Sequence, residues 1–366
     1  MLLTAEQKCL LWLSAAEVTP GHVQKLLETF ETAQGIWEAF NAENGPQFKP
    51  YTQAILSRLH TRDALDDLQE KLNLKNVHLL FRDDPEYPEL LSEIQDPPYL
   101  LYYAGRLNCL KKPMVALVGT RQASQYGRDM ASMLSRGLCE AGVCVVSGLA
   151  RGIDATAHEA ALQAGGSTVG VLGSGINVPY PPEHTPLLRR IAGGIGLVIS
   201  EYPLDAGPQA FHFPHRNRII SGLSQGVVFV EGKIKSGGMH TVHAALMQGR
   251  EVFAVPGYVG TIGSEGPHAI LREGARIVTS AEELLDDLGL QKKENPSYES
   301  NLVKLNPFQS KIVSVLKLER LNPQEISQKL QCDSKDLLTE LGTLEILGVI
   351  CREAGNRFYL PLSARQ

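Results

Sequence analysis

The sequence predicts an α/β protein: a doubly wound, Rossmann-like parallel sheet with an N-terminal small helical domain, SAM or helix-hairpin-helix-like, and a C-terminal winged helix. Three observations carry this reading. Short β-branched runs alternate with helical stretches between residues 113 and 280, residues 4–40 show helical spacing alone, and three short helical patterns followed by a Gly-Asn turn end the chain. A chain of 366 residues exceeds one ordinary core, since domains run to about 100–200 residues. The expected division is a helical cap over 1–72, a connector plus Rossmann-like domain over 73–289, a linker over 290–304 and a winged helix over 305–366.

In the cap, Leu10, Leu11 and Leu13 and then Val23, Leu26, Leu27 and Phe30 recur at helical intervals and break at Thr19-Pro-Gly-His22. Residues 77–105 are rich in turn formers (Asp83-Asp-Pro85, Tyr87-Pro88, Asp96-Pro-Pro98) and read as an extended connector packed onto the next domain. Strands are expected at Val115–Val118, Val143–Val146, Thr168–Leu172, Leu197–Ile199, Val227–Val230 and Val252–Val255. Helices are expected between them, for example Asp129–Ala141, Ala155–Ala164 and Thr241–Gln248. Continuous apolar strands separated by helices imply a parallel sheet covered on both faces. After the polar linker, Ser310–Leu318, Pro323–Leu330 and Ser334–Leu347 read as helices, and residues 349–360 as a hairpin turning at Gly355-Asn356.

Composition excludes several classes. An apolar content of 43% with 20% charged residues describes a globular chain. No apolar run reaches the length of a membrane span, and the N-terminus has no signal-peptide pattern, so the expected location is the cytoplasm without membrane contact. None of the six cysteines forms a Cys-x-x-Cys pair, which leaves neither a zinc ribbon nor a redox motif. His212-Phe-Pro-His215 and His240 with His243 have a ligand-like spacing, but Pro214 argues against helical geometry and no carboxylate pattern accompanies them, so no metal is expected. The net charge of −5 argues mildly against nucleic acid, although charge distribution decides that question.

The loops after the strands carry the chemistry. They contain Gly119, Thr120 and Arg121; Ser147, Gly148 and Arg151; Gly173, Ser174 and Gly175; Phe213, Arg216, Asn217 and Arg218; and Ser236 with Gly237. Gly and Ser let backbone N–H groups approach a phosphate, a following helix adds a favourable dipole, and arginine contacts phosphates bidentately. One Gly-rich turn is more simply a tight connection; five along one sheet edge favour an extended polyanion. Tyr126, Tyr180 and Phe213 are candidates for stacking on bases as well as for the core. The acids Asp154 and Glu201 are read as orienting arginines such as Arg151 or Arg216, and His158 as a packing residue. There is no Gly-x-x-x-x-Gly-Lys-Ser/Thr P-loop.

These runs resemble the DNA-processing protein A family (DprA, also called Smf). The words are Val115-Ala-Leu-Val-Gly-Thr-Arg121, Ser124-Gln-Tyr-Gly127, Val146-Ser-Gly-Leu-Ala-Arg-Gly-Ile-Asp154, Val171-Leu-Gly-Ser-Gly175, Ser200-Glu-Tyr-Pro203, Phe213-Pro-His-Arg-Asn-Arg-Ile219 and Gly249-Arg-Glu-Val-Phe-Ala-Val-Pro-Gly257. The resemblance spans residues 77–285. It implies single-stranded DNA binding, protection of incoming DNA in natural transformation, loading of the RecA recombinase, and homodimers formed through the Rossmann-like domain. It also implies that Gly119, Thr120 and Arg121, and Phe213, Pro214, Arg216, Asn217 and Arg218, contact the strand. Neither a cofactor nor an enzymatic activity is implied. Ser236-Gly-Gly-Met-His-Thr-Val242 departs from the family pattern at Met239-His240.

Two alternatives remain at this point: a nucleoside-monophosphate phosphoribohydrolase-like enzyme and a recombinase-binding scaffold with weak DNA affinity. The enzyme needs a glutamate where this chain has Ala244, so general acid–base help is missing. In the C-terminal domain, the helix expected to enter a duplex groove carries Asp333, Asp336, Glu340 and Glu345 against Lys335. That charge favours a protein contact over duplex reading.

Overall fold

The computed structural model describes residues 3–290, 305–317, 319–353 and 355–360. They fall into two compact units, residues 1–293 and 294–366. In the first, the β-branched runs pair into a nine-stranded sheet: β1 (His78–Phe81), β2 (Leu100–Gly105), β3 (Met114–Val118), β4 (Cys144–Ser147), β5 (Thr168–Leu172), β6 (Leu197–Ser200), β7 (Gly226–Phe229), β8 (Glu251–Ala254) and β9 (Arg276–Ile277). The spatial order is β1-β2-β6-β5-β4-β3-β7-β8-β9. From β6 to β9 every pairing is parallel. Every residue of β3 to β7 is buried, as a parallel sheet covered on both faces requires.

The connector differs from its expected form. It is not merely extended chain: β2 pairs antiparallel with β6, and β1 antiparallel with β2, enlarging the sheet at one edge. The strand β9, two exposed residues beside β8, was not foreseen either.

Five helices precede β1: Ala5–Ala15, Pro20–Phe30, Ala33–Ala39, Pro50–Leu59 and Arg62–Leu74. The first starts at a capping box in which Thr4 and Gln7 satisfy each other's amides, and the second starts with Pro20 at its first position. Trp12 is fully buried, donates to the Leu56 carbonyl at 3.0 Å, and meets Trp37 and Phe40 edge-on. The same apolar cluster runs from Trp12 and Leu13 into Tyr102, Leu172 and Val198 of the sheet. The N-terminal helices and one sheet face therefore share a core, with Ser14 hydrogen-bonded to the Tyr102 hydroxyl at 3.0 Å. On the opposite face, Ala116, Val146, Val171 and Phe229 pack with Leu91, Ile220, Val242 and Ile270.

The second unit contains the helices Pro307–Leu316, Pro323–Leu330 and Ser334–Ile346, then a hairpin of β10 (Cys351–Glu353) and β11 (Arg357–Tyr359). Asn356 takes φ +60° at the turn, a left-handed conformation that Asn tolerates better than most residues. Ile312, Leu316, Ile326, Leu337, Leu341, Leu344 and Phe358 form a core of its own. The expected linker, after Leu290, lies outside the described residues. Among those described, no helix is long and apolar enough to cross a membrane.

Candidate nucleic-acid interface

The chain winds from β3 through β4 and β5 to β6 on one side, then crosses back to β7 on the other. Loops leaving β3 and β7 therefore diverge, opening a crevice at the carboxyl ends of the strands, where doubly wound sheets bind ligands. A cleft of about 900 Å³ occupies this place. Its lining includes Gly119, Thr120, Arg121, Arg151, Phe213, Arg216, Asn217, Ser236 and Gly237, and Gly148 borders its floor.

Close backbone contacts hold the first two loops together. Gly152 has φ +74°, and a Cβ there would lie 2.3 Å from the Thr120 carbonyl oxygen, so both conformation and space demand glycine. The Thr120 amide donates to the Glu231 carbonyl at 2.7 Å. The Glu231 carboxylate accepts from the Ser124 amide and hydroxyl at 2.9 and 3.1 Å. Arg121 is presented from this braced loop: exposed, without an ion pair among the described residues, its guanidinium 5.8 Å from the Phe213 ring centroid. Phe213 in turn lies 5.4 Å from Tyr180, which is 37% exposed. Arg151 is also exposed but pairs with Glu183 at 2.5 Å, a surface pair that a phosphate can displace at little cost.

The Phe-Pro-His-Arg-Asn-Arg segment is helical, spanning His212–Gly222. Pro214 does not break it because it falls in the first turn, where no intrahelical amide bond is needed. Residues two apart on a helix point to different faces, and this separates the two arginines. Arg216 turns inward, 5% exposed, donating to the carbonyls of Gly148 (2.9 Å) and Val171. Burial lowers its pKa to about 10, against the pull of Asp154, so it stays charged near neutrality. Burial likewise raises the Asp154 carboxyl, opposed by Arg216 and by the Ala150 and Gly148 amides. Asn217 donates to the Gly237 carbonyl at 3.2 Å, linking this helix to the loop after β7.

Arg218 does not reach the cleft. It forms a two-oxygen pair with Glu201 at 2.5 and 2.7 Å on the other side of the helix. Burial pushes the Glu201 carboxyl up, but Arg218 and His215 outweigh it and hold it below its ordinary value. Glu201 thus orients Arg218, not Arg216 or Arg151.

Other expected site residues are placed in the scaffold. Ser147 is fully buried and donates to the Leu117 carbonyl at 2.7 Å. Ser174 is buried and donates to the Val178 carbonyl at 2.7 Å. A Cβ at Gly173 would meet the Phe213 ring at 2.8 Å, and one at Gly175 the Pro203 and Leu204 carbonyls at 2.2 Å. Both glycines permit close packing beneath the cleft. Tyr126 is tied by its hydroxyl to the Pro256 carbonyl at 2.6 Å and lies outside the cleft lining. His158 is fully buried, bonded through Nδ1 to Thr168 at 2.7 Å, and burial lowers its pKa to about 3. His240 is exposed on the cleft wall. Among the described residues, no group of three or more His, Cys, Asp or Glu side chains could hold a metal ion.

Sequence reasoning missed Glu231, the brace of the Arg121 loop. Its signal was a lone carboxylate directly after the Val227–Val230 run, at a strand's carboxyl end.

The DNA recombination-mediator protein A family matches residues 78–289, more than half of the chain. The chain belongs to this family. Among relatives of this recombination-mediator family, Protein Smf of Escherichia coli (strain K12) is 46% identical over 59% of this chain and 58% of its own length. The chain thus spans less than two thirds of that relative. Protein Smf of Synechocystis is 36% identical over 76% of this chain and 72% of its own. The X-ray structure of DNA processing protein A from Streptococcus pneumoniae aligns at 37% identity with a TM-score of 0.66, covering 78% of this chain and 99% of that one. The Helicobacter pylori protein, described for its single-stranded DNA binding mode, aligns at 29% identity with a TM-score of 0.53, covering 58% and 95%.

Proposed function

We propose that the switch-point cleft binds single-stranded DNA without catalysing a reaction on it. The observation that carries this reading is the exposed Arg121, without an ion pair among the described residues, presented over Phe213 with Tyr180 beside it. It sets a cation for phosphates beside aromatic faces for bases, the pairing that single-strand binders use. Arg151 supplies a second phosphate contact once it leaves Glu183, and the amides of Gly119 and Gly237 supply uncharged ones. Arg216 and Asn217 hold the floor. Asp154, the acid in the cleft, is committed to the Gly148 and Ala150 amides at 3.1 and 3.4 Å. That occupation favours a structural carboxylate over a general acid or base.

In the cell, such a protein would coat and protect incoming strands during DNA-mediated transformation and load RecA onto them, acting in the cytoplasm as a homodimer joined through the Rossmann-like domain. Family membership and the single-strand binding mode described for the Helicobacter pylori protein support this role. Fluorescence anisotropy with labelled poly-dT and a matching duplex, titrated in salt, tests the binding. The expected result is salt-sensitive affinity for the single strand and much weaker affinity for duplex. No binding at low salt would overturn the reading.

A further inference from the structure

The carboxyl edge of the sheet does not end at the cleft. Beyond β3 the next two loops are those after β7 and β8, and they touch: the Gly232 amide donates to the Gly263 carbonyl at 2.7 Å, and the Gly266 amide to the Gly232 carbonyl at 2.9 Å. The β7 loop carries Lys233, Ile234 and Lys235 immediately before Ser236 and Gly237 of the cleft wall, all three exposed. Neither lysine has an ion-pair partner among the described residues. The β8 loop presents Tyr258, 79% exposed, and Val259, 92% exposed. Such apolar exposure has no use within the fold.

This loop is held from beneath. The Tyr126 hydroxyl donates to the Pro256 carbonyl at 2.6 Å, and the Tyr126 and Tyr258 rings lie 6.4 Å apart. His268 bonds the Gly257 carbonyl at 3.0 Å. Glu231, two residues before Lys233, is engaged with Ser124, and neither lysine is neutralised by an ion pair among the described residues. From the β5 loop with Tyr180 to the β8 loop with Tyr258 the sheet edge covers four strand spacings, about 19 Å at roughly 4.8 Å each. That is room for several nucleotides rather than one.

We propose that the single-stranded DNA track continues past the cleft onto a second subsite, where Tyr258 stacks a nucleobase and Lys233 and Lys235 hold the phosphates leading to it. The proposal rests on the reading of the cleft as a single-strand site. An aromatic ring at the end of a basic ramp suits a base of any sequence, because every base has a π-face.

The test is anisotropy with dT oligonucleotides of about 6 and about 20 nucleotides, short enough for the cleft alone and long enough for both subsites. The proteins are wild type, Tyr258→Ala, Tyr258→Phe and the double variant Lys233→Ala/Lys235→Ala, each with its mass measured in solution. Tyr258→Ala is expected to bind the long oligonucleotide about tenfold more weakly and the short one as wild type does, while Tyr258→Phe retains affinity. The double lysine variant should lower the salt slope on the long oligonucleotide by about 1.4, at roughly 0.7 per phosphate contact. Equal affinity of Tyr258→Ala and wild type at both lengths would overturn the subsite and leave the cleft standing. A loss that appears only together with a change in mass would assign Tyr258 to protein self-association instead. If wild type binds neither oligonucleotide, the cleft reading itself falls and the subsite with it.

Discussion

Arg216 is the residue at which the structure most changes what a mutation should do. Replaced by Ala, it would be expected from the motif alone to lose a phosphate contact and leave the fold intact. In the structure its guanidinium is buried and satisfies the carbonyls of Gly148 and Val171, with Asp154 close by. Truncation orphans two acceptors at about 1–3 kcal/mol each and leaves a buried carboxylate without its cation. Water entering from the cleft recovers part of that, so the expected loss is roughly 3 kcal/mol. At about 2–4 °C per kcal/mol for a unit of this size, melting should fall by roughly 10 °C. Circular dichroism melts of Arg216→Ala and wild type measure this, paired with poly-dT anisotropy at a temperature where both are folded. A variant that melts with wild type yet loses its affinity would refute the reasoning and make Arg216 a direct ligand of the strand.

Arg121→Ala should do the reverse: because the side chain is exposed and without an ion pair among the described residues, melting stays unchanged, single-strand affinity drops about tenfold and the salt slope falls by roughly 0.7; an unaltered slope would remove Arg121 from the phosphate path. Gly152→Ala should cost about 1–3 kcal/mol from its positive φ alone, with a further loss of DNA affinity because the added Cβ displaces the Thr120 carbonyl; wild-type stability and affinity together would contradict that loop geometry. His158 has a folded pKa of about 3 against an ordinary 6.5, so below pH 6.5 the unfolded chain binds the extra proton. Its stabilising contribution is complete above pH 6.5 and is lost towards pH 3 at about 1.4 kcal/mol per unit. Denaturant titrations between pH 6 and 4 should show a shallower pH slope for His158→Asn than for wild type, and equal slopes would acquit His158.

The strands β3 to β8 were legible because a sheet covered on both faces writes itself as unbroken apolar runs. β1 and β2 were not, since His78–Phe81 and Leu100–Gly105 sit inside turn-rich chain whose prolines and aspartates dominate any local reading. Their strand character comes from pairing, β2 with β6 and β1 with β2, which local pattern does not encode. In the cleft, Gly119-Thr-Arg121 was legible as a motif and lies where expected. The Arg216–Arg218 pair misled because the segment was read as a loop; as a helix, its own periodicity sends one arginine to the floor and the other to Glu201. Ser147, Gly173, Ser174 and Gly175 illustrate a second limit: small residues mark close approach, and sequence does not say whether a ligand or the protein itself approaches.

The continuity between Trp12, Tyr102 and Val198 bears on how the molecule comes apart. Helices that bury their apolar stripe against a sheet face cannot swing away from it without wetting both surfaces at once. The helices between residues 5 and 74 are therefore a wall of the building and not a door. Their slowest-exchanging amides should open in the same global event as those of β2 and β6, and any freedom to admit a ligand is left to the loops at the carboxyl ends of the strands.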